Sequence, residues 1–278
     1  MDAMRPQAPP EVDSTKPSVG RLYDYYLNGR YHFQVDRDAA ERIRAKIPEV
    51  HYMAHANRGF LQRAAGFMAR AGLRQFIDIG AGLPTQWNSH EVVHTVDPDA
   101  VVVYVDNDPG VLAESTAMLA ARGEKNAIYV AGDSREPASI LDSAEVRALI
   151  DFTQPVAYIH AAVWHFVPPE ADPHGLMRQY IGAVPSGSYV ALSHVTADGQ
   201  QPEKVQNFLD VYASSNANLA FRTIPEIKQL FDGLDFEPPY EGARSGLSFC
   251  DLWGSKNPDG VRTEPSHTWL AAGVARKA

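Results

Sequence analysis

Three carboxylates in this chain of 278 residues stand at or near the end of a short apolar run: Asp78 in Phe76-Ile77-Asp78-Ile79-Gly80-Ala81-Gly82, Asp106 after Val101 to Val105, and Asp133 after Ala127 to Ala131. Gly80 and Gly82 lack a Cβ and accept positive φ, so backbone there can come close to a ligand. An acid ending the second run is placed to meet ribose hydroxyls. An acid ending the third can meet an adenine amine. Two adenosine-bearing cofactors compete for such a set. A nicotinamide dinucleotide needs a pyrophosphate seat on a helix N-terminus, usually with a third glycine. Here that place falls on Thr85, behind Pro84, and the chain has no Tyr-x-x-x-Lys pair. S-adenosylmethionine has no phosphate. It needs a close turn for its methionine part, an acid for its ribose and polar contacts for its adenine. Asp78, Gly80, Ala81, Gly82, Asp106, Asn107, Asp133, Ser134 and Ala161 suit it better.

Methyl transfer from a sulfonium is an in-line displacement that needs alignment and, for some acceptors, a base. His165 and His194 each follow a later apolar run. An imidazole there can take a proton near neutral pH. Arg58, with Asn57 beside it, can hold a methionine carboxylate in a forked pair. Tyr23, Tyr25, Tyr26, Tyr31 and Phe33 crowd into one short stretch. Tyr23 and Tyr26 are candidate acceptor contacts, because aromatic rings give large contact area with few rotors. Trp87 is a candidate neighbour of the cofactor.

The elements that must carry these residues fall into two textures. Residues 1–16 are proline-rich and polar and read as a disordered tail. Residues 17–71 read as helices only: Ser18 to Leu27, one that begins at Asp36 and ends before Pro48, and Ala54 to Arg70. Residues 72–278 alternate strands and helices. Strands are expected at 75–80, 101–106, 127–131, 155–163, 188–195 and 268–276, with helices at 109–122, 139–150, 173–184, 203–214 and 225–231. Apolar strands alternating with helices predict an α/β fold with a doubly wound, mainly parallel sheet buried on both faces.

Several runs carry a family resemblance: Phe76 to Gln86, Val103-Tyr104-Val105-Asp106-Asn107-Asp108-Pro109, His165-Phe166-Val167-Pro168 and Gly187 to His194. Pro17-Ser18, Tyr23-Asp24-Tyr25, Ala56-Asn57-Arg58 and the closing Ala272 to Lys277 add to it. Together they resemble a family of S-adenosylmethionine-dependent methyltransferases, abundant in actinobacteria and long catalogued as a domain of unknown function. The resemblance spans about Pro17 to Lys277. It implies a class I methyltransferase fold with a seven-stranded sheet and an added N-terminal helical lid over 17–71. The fourth strand tip faces the methyl group in that fold, which singles out His165. Ala81 stands where the family often has threonine, and Asn28 to His32 departs from its pattern. The resemblance supplies a cofactor and no acceptor.

Other motifs point elsewhere. His90-Glu91-Val92-Val93-His94 matches a zinc-protease helix. The segment directly follows the cofactor turn, however, and a strand separates it from Glu114. His51 and His55 share one helical face without acidic companions. Glu237-Pro238-Pro239-Tyr240 resembles an element of amino-methylating nucleic-acid enzymes, displaced to the wrong strand. One cysteine, Cys250, excludes a disulfide framework and a three-cysteine radical cluster. A net charge of −9 disfavours nucleic acid in bulk, although residues 1–75 hold 12 basic and 8 acidic side chains against 13 and 26 in the remainder. No apolar run suits a membrane span or a signal peptide, so a cytoplasmic protein acting on a small-molecule methyl acceptor is expected. A non-catalytic cofactor sensor and a nicotinamide-dependent oxidoreductase are the alternatives.

Overall fold

Burial selects the strands. Phe76, Ile77, Val102, Val103, Ala157, Ile159, Ala191 and Leu192 are all fully shielded from solvent, on alternate faces of one sheet. A strand apolar on both sides must lie between two layers of helices. The computed structural model describes residues 13–84, 87–213, 219–262, 264 and 267–278. Its strands are β1 (Gln75–Ile79), β2 (Val101–Asp106), β3 (Ala127–Ala131), β4 (Ala157–Ala161), β5 (Tyr189–Val195), β6 (Asp235–Phe236), β7 (Ser248–Phe249) and β8 (Leu270–Arg276). Its helices are α1 (Val19–Tyr26), α2 (Gln34–Lys46), α3 (Val50–Arg70), α4 (Ser89–His94), α5 (Pro109–Arg122), α6 (Pro137–Leu141), α7 (Ala144–Leu149), α8 (Pro173–Gly182), α9 (Pro202–Ala213) and α10 (Ile224–Gln229).

The sheet runs β3-β2-β1-β4-β5-β8-β6, with β7 pairing β8. The first five strands are parallel, and β8 runs antiparallel to β5 through seven residue pairs. Chain order reverses between β1 and β4. Ligands of such sheets bind beyond the strand carboxyl ends at that switch point.

The N-terminal helices are not a separate body. Leu22, Ile43, Phe60, Leu61 and Met68 share one apolar cluster with Phe76 and Val102 of the sheet. α3 has two jobs along its length. Its later turns bury Phe60, Ala64, Ala65 and Met68 without exposure, and the small residues allow close approach to the strands. Arg63 fastens it by donating to the carbonyls of Trp253 (2.7 Å) and Cys250 (2.6 Å). Its earlier turns carry Asn57 and Arg58 over the strand ends. α1 and α2 are tied by Asp36, wholly buried, which accepts from the Ser18 backbone (3.1 Å), the Phe33 backbone (2.7 Å) and Arg21 Nε (2.8 Å).

Three expectations shift. The helix expected over 139–150 is two short ones, because Ser143 leaves helical geometry and its hydroxyl caps α7 at Val146. The fourth strand is shorter than expected, since Ala162 turns out of it at φ 61°. β6 and β7, two residues each, have no sequence periodicity to announce them. Residues 1–12 of the expected tail, Thr85, Gln86 and Ser214 lie outside the described residues. Asp13 to Lys16 lie against α1, where the Asp13 and Lys16 carbonyls accept from Arg21.

Candidate functional site

A cavity of about 760 Å³ opens at the carboxyl ends of β1 to β5, under α1 and α3. That volume suits an enclosed cofactor together with a second small molecule. Of the residues expected there from the sequence, Asp78, Gly80, Ala81, Gly82, Asp106, Asn107, Asp133, Ser134, Ala161, Asn57, Arg58, Tyr23, Tyr26 and His165 all line it. His194 does not. Neither does Trp87, which is 60% exposed on the outside.

The turn after β1 is built for close approach. Gly80 and Gly82 have φ of 68° and 64°. A Cβ on Gly80 would fall 2.5 Å from Val163, whereas one on Gly82 would project into open space. The Gly80 and Ala81 amides bond to the Val105 carbonyl (2.8 and 3.1 Å), and the Gly82 amide to Asp106 Oδ2 (2.9 Å). Asp106 also accepts from the Asp108 amide through Oδ1 (2.9 Å). Each of its oxygens keeps acceptor capacity beyond these bonds. Burial pushes the Asp106 carboxyl up.

Asp78, buried at the floor, accepts from Ser89 Oγ. Burial raises its carboxyl to about 6, against the opposing pull of Ser89 and the Arg58 charge. A ligand cation at this end would restore the carboxylate. Asp133 is the opposite case. Arg135 bonds it through Nε (2.9 Å) and holds it down at about 2, with Asn107 Nδ2 adding a contact at 3.2 Å. Its carboxylate stays charged and shared. Ser134 contributes its carbonyl to Tyr180 (3.1 Å).

Asn57 is the hinge-pin of the roof. Its Nδ2 donates to Tyr23 Oη (2.9 Å), its Oδ1 accepts from Ser193 Oγ on β5, and Ser193 in turn holds the Ala162 amide (2.9 Å). Tyr23 donates to the Ala54 carbonyl (3.1 Å), and Arg58 lies over the Tyr23 ring at 5.7 Å. The Tyr26 hydroxyl goes to the Ala40 carbonyl (3.2 Å). Both tyrosines therefore wall the cavity with ring area while their hydroxyls serve packing. Tyr25 pairs with Glu41 (2.6 Å), Phe33 lies beside Arg21, and both stay outside the cavity with Tyr31.

His165 sits on the 3-10 turn Trp164–Phe166 after β4. Burial and the nearby Arg222 charge lower its imidazole to about 3. It is therefore neutral at pH 7, which corrects the sequence picture of an imidazole titrating near neutrality. Its Nδ1 is buried with no hydrogen-bond partner among the described residues. His194 has a structural place instead. Its Nδ1 faces the Val195 carbonyl (2.6 Å) and its Nε2 faces Arg222 (2.7 Å), which leaves it no nitrogen for chemistry.

Arg222 gave no sequence signal. It is 5% exposed and donates to the Trp164 carbonyl (2.7 Å), the Val167 carbonyl (2.7 Å) and His194, so it grips the turn that carries His165. Phe166, Phe208, Tyr212, Met53 and Leu219 also line the cavity. Only the i,i+4 spacing of Phe208 and Tyr212 on one helix could have drawn attention to them.

The competing motifs resolve into structure. His90 Nδ1 meets Tyr104 Oη (2.6 Å), His94 Nε2 meets the Ala100 carbonyl (2.9 Å), and Glu91 caps α4 at Asn88 (2.7 Å). No cluster of His, Cys, Asp and Glu among the described residues could hold a metal. Cys250 is buried and its thiol is pushed up to about 12. No helix among the described residues is long and apolar enough to cross a membrane.

The chain is similar to known proteins. A family model described as S-adenosyl methyltransferase matches residues 5–278. The chain is similar to a DUF574 family protein from Streptomyces avermitilis, with 37% identity, 96% of this chain and 99% of that chain covered, and a TM-score of 0.87. It is similar to a candidate methyltransferase from Thermobifida fusca, at 34% identity with coverage of 97% and 98% and a TM-score of 0.86. The plantazolicin methyltransferase BamL, crystallised with a triazolic desmethylPZN analog and SAH, is 11% identical over 93% of this chain and 95% of that one, with a TM-score of 0.52, a likeness of fold alone. No curated protein matches.

Proposed function

The chain belongs to the S-adenosyl methyltransferase family, and on the premise that it is an S-adenosylmethionine-dependent methyltransferase we propose that it methylates a small molecule enclosed under its N-terminal helices. The observation that carries this reading is one continuous cavity with two characters. Its β1–β3 end is polar, with the carboxylates of Asp78, Asp106, Asp108 and Asp133 and an open glycine turn; its α1, α3 and α9 end is mainly apolar and aromatic. Residues 17–71 act as the lid, and residues 72–278 as the cofactor domain.

The cofactor fits the residues present. Gly82 leaves open space where a side chain would stand. Among the described residues Asp78 is a buried carboxyl without a cation in hydrogen-bond contact, and Asp106 has acceptor capacity left. Bound S-adenosylmethionine supplies an electrophilic methyl group on a sulfonium. Asp106 would take the ribose hydroxyls, Asp133 and Asn107 the adenine edge, and Arg58 the methionine carboxylate. Asp78 answers the positive charge. Asn57 fixes the roof over strands β4 and β5, and the lid keeps water from the acceptor. His165 walls the acceptor side of the cavity as a neutral imidazole. Such positioning supplies most of the acceleration of a displacement between two bound reactants.

Thermal unfolding tests the cofactor assignment. Adenosylhomocysteine at 100 times its dissociation constant should stabilise the protein by about 2.7 kcal/mol, and NADH should not. Absence of stabilisation at millimolar adenosylhomocysteine would sink the proposal.

The raised Asp78 carboxyl sets a pH dependence. Below about 6 it is protonated and neutral; above, it is an anion facing the ligand's positive charge. Affinity for S-adenosylmethionine should therefore fall as pH drops through 6, by up to about tenfold per unit. Calorimetry from pH 5 to 7.5 checks it. Asp78→Asn should flatten the curve; an unchanged slope would remove Asp78 from the site.

A further inference from the structure

Opposite the β1–β3 carboxylates, the cavity is walled by side chains that bear no charge. α1 gives Leu22 and Tyr26, α3 gives Val50 and Met53, and α9 gives Phe208 and Tyr212. Val195, the last residue of β5, and Leu270, the first of β8, join them. Lys204 of α9 donates to Glu49 Oε1 at the start of α3 (2.5 Å), so the two helices are tied and those two charges answer each other. The charged side chains that line the cavity stand elsewhere. Four aspartates and Arg135 are at the β1–β3 end. Asp13 and Lys16 are on the segment before α1, whose Ser18 Oγ donates to Asp108 (2.9 Å). Arg21 is paired with Asp36 (2.8 Å), and Arg58 is assigned to the methionine carboxylate.

The polar atoms at this end are already engaged. Tyr26 Oη donates to the Ala40 carbonyl (3.2 Å), the Ala54 carbonyl accepts from Tyr23 Oη (3.1 Å), and the Val195 carbonyl faces His194 Nδ1 (2.6 Å). Burial pushes the Tyr26 and Tyr212 phenols up, so both rings are uncharged at neutral pH. A ligand body placed here gains contact area and no charge-assisted bond. The water stripped from a carboxylate, an ammonium or the hydroxyls of a sugar would go unreplaced. Rings supply much of that area. Phe166 to Tyr212 and Tyr212 to Phe208 each measure 6.3 Å between centroids, and the planes of the second pair differ by only 12°. The strip is longer than one benzene ring can cover, whereas fused rings reach two of its members at once.

We infer that this end is the subsite for the body of the methyl acceptor, and that the body is an uncharged aromatic system of two or more fused rings. The inference rests on the small-molecule reading above. Selection here works by exclusion. A charged body of either sign loses its hydration and finds no partner. A saturated ring system keeps the apolar burial but forfeits the ring-on-ring contacts that Phe166, Tyr212 and Phe208 offer. The subsite adds no charge of its own, so the preference for a neutral body persists with the cofactor's carboxylate in place.

The probe is 2-naphthol, neutral at pH 7, titrated by its fluorescence into the wild-type protein saturated with adenosylhomocysteine. It should bind below millimolar concentration. 2-Naphthoate and 2-naphthylmethylammonium carry the same rings with a full charge of opposite sign, and each should bind at least about tenfold more weakly. Decahydro-2-naphthol should bind at least about threefold more weakly than the aromatic probe. Tyr212→Ala should weaken naphthol about tenfold while adenosylhomocysteine affinity holds, and Tyr212→Phe should recover it, because the ring and not the hydroxyl makes the contact. The ligand series is read on the wild-type protein, so it decides the matter even if the alanine variant unfolds. The inference is overturned if adenosylhomocysteine binds but naphthol at millimolar concentration does not. It is equally overturned if either ion, or the saturated alcohol, binds as tightly as naphthol. Failure of adenosylhomocysteine itself to bind would instead bring down the cofactor assignment on which this one stands.

Discussion

Asp106→Ala raises the dissociation constant for S-adenosylmethionine about 100-fold, the expected result of removing a charged acceptor from two ribose hydroxyls at roughly 1.5 kcal/mol each. The side chain already has a partner on each oxygen, the Gly82 and Asp108 amides. Its loss therefore frees the glycine turn as well as the ribose contact. A compensating effect limits the damage to the empty protein. Burial disfavours the Asp106 charge, so removing it relieves a desolvation cost and leaves stability nearly unchanged. Asp106→Asn keeps an acceptor for one amide and one hydroxyl but loses the charge, and should stand between, near tenfold. Calorimetry on the three proteins gives the ranking. Binding by Asp106→Ala within about threefold of wild type would show that the ribose is held elsewhere.

What could be read from the sequence was what local chemistry determines. β2, α5 and β3 fall where expected, because their signals are adjacent to them: Asp108 caps α5 through the Gly110 amide (2.8 Å), Pro109 occupies the first turn and Gly123 ends it at φ 70°. The cofactor end was legible for the same reason, since strand-end acids and glycines follow their strands directly. The apolar end, proposed for the acceptor, was not. Its walls come from α1, α3, α9 and the segment around Leu219, which meet only through the tertiary fold. The protonation of His165 was illegible too, because Arg222, 57 positions along the chain, helps set it. His90 to His94 shows the converse case, a motif set aside at the level of sequence. The two rings are engaged by Tyr104 and the Ala100 carbonyl, Glu91 caps the helix, and no group of three ligands among the described residues could hold a metal, although Glu124 lies 3.8 Å from His90.

Arg222→Met should lower the stability of the fold by about 3 kcal/mol and the melting temperature by about 5 °C, given the unfolding entropy of a chain this long. Methionine fills much of the volume, so the loss is one of hydrogen bonds and not of packing. The Trp164 and Val167 carbonyls and His194 Nε2 would all lose a donor at 2.7 Å in a place water reaches poorly. Against this stands relief from burying a guanidinium that has only the Glu226 charge at a distance to offset it, and whose desolvation lowers its own pKa. The Val167 carbonyl and His194 Nε2 lose their donor at about 1 to 3 kcal/mol each, and the Trp164 carbonyl keeps only the Val167 amide (3.2 Å), which together exceed that relief and decide the sign. Arg222→Lys keeps the charge but cannot span three acceptors, so it should recover only part of the loss. Thermal unfolding of the three proteins gives the ranking, and a melting temperature for Arg222→Met within about 1 °C of wild type would show that these acceptors find other donors.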